Sequence, residues 1–430
     1  MRYLNLVCWV FFLQACAGGG SYKPDDIGLG MSITPESRPT PQPVYTYEVM
    51  STPISDADPN KPVNVNTNTY DLTRAQPDTN GPGYSNWFAQ GDWSPVPHLK
   101  FWGKSVTSSS CTSNLLDSCA PAKIAAPVED VLYAWRRGWT GKGVNVMIED
   151  GIKDDHGVVT ALIAYRYAPG ANYYGLDVIP TLFTNNVFDQ QLGKYPSSYT
   201  STVNVGVVNA SYTADLKSLL GDKPWTEASL LDARVKLASS APVVVNRFKD
   251  APVSGQLAQF KYADAVITKA AGNDSILAEY EPLNWFLAKD SVVNERLLIV
   301  GALNKAGSVD APADKASYSN TAGNDSDVSS RFLLASGTIP FGYRSVAIDS
   351  VPTELLHGTS FAAPRVAGYV AILRSKFPTL SGKQSASIML DTAGYETLSC
   401  NTQLGGCDPK IYGKGEANLS RALAPVGKLR

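Results

Sequence analysis

Histidine is scarce: the 430 residues hold only His98, His156 and His357, so any imidazole chemistry has three candidates. The six cysteines include no CxxC pair, and no histidine lies beside those in the body of the chain, which argues against a zinc site. Charge is also thin. Asp, Glu, Lys and Arg make up 18% of the chain for a net charge of −2, and without a long basic run nothing suggests a nucleic-acid partner. Beyond the first sixteen residues no apolar stretch is long enough for a membrane-spanning helix, and there is no internal repeat. What is abundant is Gly (35), Pro (28), Ser, Thr and Asn, a loop-rich composition of extracellular style. The length leaves room for one large α/β domain with extensions.

The N-terminus reads as an export signal. Arg2 supplies the positive charge, and residues 4–13 form an apolar stretch too short to cross a bilayer. Leu13-Gln14-Ala15-Cys16 resembles a bacterial lipobox, which implies that residues 1–15 are removed and Cys16 becomes diacylated. The expected location is a bacterial membrane, the outer one, with the lipid as membrane partner. Residues 16–97 read as a leash and spacer: twelve of the 28 prolines fall between Pro24 and Pro97, in a segment too poor in apolar residues to offset its ordering entropy. Four cysteines remain for the body of the chain. In an oxidising compartment Cys111 with Cys119, and Cys400 with Cys407, are expected to close two local disulfides.

From Cys119 onward, short β-branched runs alternate with helical segments, as in a parallel-sheet α/β domain. The expected strands are residues 144–148, 171–176, 203–207, 243–246, 265–270, 297–300 and 332–335. Helices are expected after His156, over 230–238, over 254–263 and from Ser360.

One stretch carries the most information: His357–Gly368, HGTSFAAPRVAG. Ser360 opens a run with helical apolar spacing (Ala363, Val366, Val370, Leu373, Phe377), and Pro364 is expected in its first turn. A hydroxyl then stands at a helix N-terminus, where the macrodipole favours developing negative charge. This stretch resembles the nucleophile signature of the subtilisin-like serine proteases. The resemblance extends to residues 139–144, to His156-Gly157, to Lys269-Ala270-Ala271-Gly272-Asn273-Asp274, to Ala316-Ser317-Tyr318-Ser319-Asn320 and to Tyr412-Gly413-Lys414-Gly415. It implies a parallel β-sheet flanked by helices over residues 98–427, and hydrolysis of peptide bonds in secreted or surface polypeptides. It implies no cofactor, and no structural calcium site is readable in the sequence. In style the chain resembles surface-processing subtilases that travel as autotransporter passengers.

The resemblance makes Ser360 the nucleophile and Asn273 the oxyanion donor. His98 lies in the proline-rich spacer and His357 is too close in chain to Ser360, which leaves His156 as the base. Asp154 and Asp155 just before it suit a helix cap. The acid has two candidates. Counting forward from Gly143-Val144 gives Asp150, counting back from Gly151 gives Glu149, and the alternation of Val144, Val146, Ile148 and Asp150 favours Asp150. Two departures from the family stand out. Asp150 and His156 are only six residues apart, where the family places a strand and loops. Val244-Val245-Asn246, expected to lead into a small Ser-x-Gly substrate edge, is followed by Arg247-Phe248-Lys249-Asp250. The rival to an enzyme is a catalytically impaired scaffold acting by binding; a lipase or esterase is disfavoured because no GxSxG surrounds Ser360.

Overall fold

The computed structural model describes residues 137–151, 155–178, 201–249, 258–342 and 353–424, with fragments at 13–14, 100–101, 104–105, 131, 134–135 and 187–189. Cys16, His98, Cys111 and Cys119 lie outside the described residues, as do nearly all of the leader and spacer.

Seven strands form the central sheet: β1 Asn145–Asp150, β2 Asn172–Asp177, β3 Val187–Asp189, β4 Val207–Ala210, β5 Val266–Ala270, β6 Leu297–Leu303 and β7 Phe332–Ser336. Their order is β7-β6-β5-β4-β1-β2-β3. All pair in parallel except β3, which runs antiparallel to β2. Parallel strands with cover on both faces bury every position, which is why β5 and β6 read as unbroken runs rather than alternating ones. Among the described residues the helices of eight residues or more are α1 Asp155–Tyr167, α2 Glu227–Leu237, α3 Ala241–Phe248, α4 Pro282–Lys289, α5 Thr359–Lys376 and α6 Gly382–Thr392. A hairpin of β8 Thr338–Gly342 and β9 Thr353–His357 leads into α5.

The alternation along each strand divides the core into two layers. Val146 and Ile148 of β1 face the layer shared with Val159 and Ile163 of α1 and Val366 and Val370 of α5. Met147 faces the other layer, with Val244 and Phe248 of α3 and Leu283 and Leu287 of α4. Among the described residues no helix is long and apolar enough to cross a membrane. Cys400 and Cys407 are joined in a disulfide, as their spacing suggested.

Three expected elements are corrected. Residues 243–246 are not a strand but part of α3: Ala241, Val244, Val245 and Phe248 are buried at the i, i+3, i+4, i+7 spacing of a helix face, and Pro242 sits in the first turn. The local β-propensity of Val243-Val244-Val245 is overridden by that face. Of the helix expected over 254–263, residues 254–257 lie outside the described residues, and Phe260–Lys261 form a short strand beside Val203–Asn204. The strand expected over 203–207 is accordingly split: Gly206, where a Cβ would stand 2.8 Å from Val144 Cγ1, separates that pair from β4.

Candidate active site

β1 ends in two adjacent carboxylates, which a strand must send to opposite faces. Asp150 turns toward α1. Its Oδ1 lies 2.8 Å from His156 Nδ1 and accepts the Gly151 backbone N–H at 2.8 Å, while Oδ2 accepts the Thr160 hydroxyl at 3.2 Å. Asp150 is fully buried and His156 6% exposed. A carboxylate facing Nδ1 keeps a proton there and leaves Nε2 as the basic nitrogen. The six-residue interval is therefore sufficient: the strand end and the first turn of α1, which already contains Asp155, bring acid and imidazole together directly. Glu149 points the other way, toward Arg247 and Tyr212, so of the two candidates Asp150 is the one that meets His156.

Ser360 lies in the first turn of α5, next to Phe361, whose ring packs on the His156 imidazole with centroids 5.8 Å apart. Pro364 falls in the second turn of α5 rather than the first, because the helix already begins at Thr359. The consequence is specific: Pro364 has no N–H for the Ser360 carbonyl four residues earlier. That carbonyl instead accepts the Ser211 hydroxyl at 3.0 Å, and the Ser360 hydroxyl donates to the Ser211 carbonyl at 3.0 Å. A reciprocal clamp thus joins the helix start to the residue that follows β4.

The segment after β4, Ser211-Tyr212-Thr213-Ala214, is the backbone edge beside Ser360, and this corrects the expectation that the edge would follow Val244-Val245-Asn246. Thr213–Ala214 pairs antiparallel with Leu13–Gln14, so these backbone groups accept an added strand. The sequence offered the tripeptide Val-Val-Asn twice, at 207–209 and at 244–246. Only the first is followed by small Ala210 and Ser211, a signal that could have found the edge.

Asn273 comes from the end of β5. Gly272 precedes it at φ +110°, a conformation glycine alone adopts easily, and a Cβ there would stand 2.3 Å from Asn320 Nδ2. Asn273 Oδ1 accepts both the backbone N–H and the hydroxyl of Thr359 at 2.9 Å, which fixes the amide; its Nδ2 lies 3.5 Å from where a Cβ of Gly358 would stand. The amide nitrogen is therefore turned toward the loop that delivers Ser360. Next in chain, Asp274 has its carboxyl pushed up to about 7, first by burial and then by the charges of Glu281 and Asp215. His357 stands apart on β9, exposed, with Nδ1 3.1 Å from the Thr338 hydroxyl. Among the described residues no group of carboxylates, histidines or cysteines could hold a metal ion.

The model of the subtilase family (peptidase S8) matches residues 151–415, more than half of the chain. The chain belongs to the subtilase family. The match contains His156, Asn273 and Ser360, and Asp150 directly precedes it. This subtilase is 26% identical to Subtilisin DY of Bacillus licheniformis over 294 residues, which cover 66% of the chain and 93% of that protein. It is 25% identical to Subtilisin of Bacillus pumilus over 297 residues, again 66% and 93% of the two. A solved cold adapted subtilisin-like serine proteinase aligns with 74% of the subtilase and 96% of its own chain at 15% identity and a TM-score of 0.33.

Proposed function

We propose that this subtilase is a serine endopeptidase of secreted or surface polypeptides. The observation that carries the reading is the buried 2.8 Å contact of His156 with Asp150, beside the helix turn that bears Ser360. In this reading a substrate strand adds to the edge at Thr213–Ala214 and lays its scissile carbonyl over Ser360. For this the Ser360 hydroxyl turns from the Ser211 carbonyl to His156 Nε2, which takes its proton as Oγ attacks; Asp150 holds the ring in orientation and offsets the charge of the imidazolium. The oxyanion that forms faces the Asn273 amide at the N-terminal end of α5. His156 then protonates the leaving amine, and water releases the acyl group by the same steps.

Labelling with a fluorophosphonate tests this reading. The wild-type protein should react, Ser360→Ala should not, and hydrolysis of peptide anilides should disappear with the label. A properly folded wild-type protein that takes no label would mean a binding scaffold instead.

The proposal includes a location: exported and held at a bacterial membrane by lipid on Cys16, with the following residues as a leash. The lipobox-like Leu13-Gln14-Ala15-Cys16 supports this. Cys16→Ala should move the protein from the membrane to the soluble fraction or stall its maturation, because a single acyl chain anchors only marginally whereas several together hold firmly. Unchanged membrane partition of the variant would refute it.

A further inference from the structure

Two buried ion pairs lie beneath the substrate edge, and the triad uses neither. The first is Glu149–Arg247 at 2.9 Å, the second Lys269–Glu281 at 4.0 Å. Glu149, Lys269 and Glu281 are fully buried and Arg247 is nearly so. Removing such charges from water is costly, and apolar side chains of similar volume would fill the space with less penalty. What the charges add is direction. Lys269 also donates to the Ala270 carbonyl and Glu281 also accepts the Asn284 N–H, but each of the four makes at least one bond to Tyr212 or Ala214.

Glu149 accepts the Tyr212 hydroxyl at 3.0 Å, and Arg247 donates to that hydroxyl at 2.9 Å. The side chain of Tyr212 is thus gripped from both sides. Burial and then the charge of Glu149 raise its pKa, which keeps it a donor. Lys269 Nζ donates to the Tyr212 carbonyl, and the Ala214 N–H donates to Glu281 at 2.8 Å. One residue earlier, Ser211 makes the two-bond clamp to Ser360. The edge is therefore fixed at one end to the nucleophile and along the rest to buried charges.

We propose that Glu149, acting through Arg247 and Tyr212, is a positioning residue for the substrate: it holds the edge at the register from Ser360 that an extended peptide requires. This rests on the endopeptidase reading. It gives each of the neighbouring carboxylates a task, Asp150 toward the imidazole and Glu149 toward the substrate edge. A side chain held by directional bonds on both sides keeps its backbone within the fraction of an ångström that strand pairing tolerates.

The experiment uses active-site-titrated enzyme and two substrates: a tetrapeptide anilide that runs along the edge and an N-acetyl amino-acid ester that does not. Tyr212→Phe removes only the hydroxyl and keeps the ion pair. Glu149→Leu/Arg247→Met removes both charges, so no lone charge is left buried to prevent folding. Each should raise KM for the tetrapeptide about tenfold, the effect of losing roughly one charged hydrogen bond. The kcat, its pH profile and KM for the ester should stay at wild-type values. Combining the changes should add little, because all act through one hydroxyl. Tetrapeptide KM at the wild-type value in the well-folded double variant would overturn the positioning role, as would an equal rise for both substrates. Wild-type protein that takes no fluorophosphonate overturns the endopeptidase reading and this role with it; labelled enzyme with an unchanged KM ratio overturns this role alone.

Discussion

Replacing Asp150 by Asn separates charge from geometry at the acid. Gly151 N–H and His156 Nδ1 both lie 2.8 Å from Oδ1, while Oδ2 faces the Thr160 hydroxyl at 3.2 Å. An Asn amide can satisfy all three only with its oxygen at the Oδ1 position, because its NH2 placed there would oppose the Gly151 N–H. The NH2 then falls at the Oδ2 position, where Thr160 can accept it while donating to the Gly157 carbonyl 2.9 Å away. Asp150→Asn therefore keeps the Nδ1–H tautomer and removes only the negative charge. With Nδ1 2.8 Å from Oδ1, the charge centres of carboxylate and imidazolium are about 4 Å apart, an attraction of about 4 kcal/mol at an effective dielectric constant near 20. At 1.36 kcal/mol per factor of ten, kcat should fall about 10³-fold. The assay is kcat for a tetrapeptide anilide with active sites counted by fluorophosphonate. Activity within tenfold of wild type would refute the claim that this charge supports the imidazolium. A loss of about 10⁴ or more would refute the tautomer argument, since that is what the wrong tautomer costs.

Ser211→Ala leaves the buried Ser360 carbonyl without its donor and should cost about 1–3 kcal/mol in urea denaturation; adding Pro364→Ala, which restores a backbone N–H four residues on, should recover part of the loss, and no recovery would refute the compensation. Asp274 has a folded-state pKa of about 7, above the roughly 3.9 of an unfolded aspartate, so the folded form prefers the proton. Stability from this group is full below about pH 4 and declines as pH rises toward 7. The Tm of Asp274→Asn should match wild type at pH 4 and exceed it at pH 8, and a gap that does not widen with pH would contradict the burial argument. The disulfide between Cys400 and Cys407 spans a separation of seven residues, for which chain entropy gives about 2.5 kcal/mol; Cys400→Ala/Cys407→Ala should lower the denaturation midpoint accordingly, and an unchanged midpoint would show that the loop is held without it.

The parts of this molecule legible in the sequence are those written locally. The central strands appear as β-branched runs, α5 as an apolar face opening at Ser360, and His156 emerges by scarcity. Strand phase alone separates Asp150 from Glu149. The parts that were not legible depend on partners distant in the chain. Ser211 meets Ser360 across 149 positions, and no local pattern announces a carbonyl freed by Pro364. The two Val-Val-Asn tripeptides are identical, yet one becomes a core strand and the other a helix face, because burial periodicity outweighs propensity. The anchoring of Tyr212 by Glu149 and Arg247 was hidden for the same reason: Arg247 belongs to a helix that read as a strand.

The short interval between Asp150 and His156 also sets an order of assembly. Their contact closes within a single strand–helix unit, six positions apart, and needs little loop entropy. The clamp on Ser360 must wait for a helix some 150 positions beyond its partner, after β5, β6 and β7 have supplied the surface on which α5 packs. In the endopeptidase reading, a chain caught midway in folding holds acid and base close together while the nucleophile, and the Phe361 ring that packs on His156, have yet to dock. In that reading cutting power arrives when α5 docks on the sheet, at the moment when few unfolded segments of the same molecule remain to be cut.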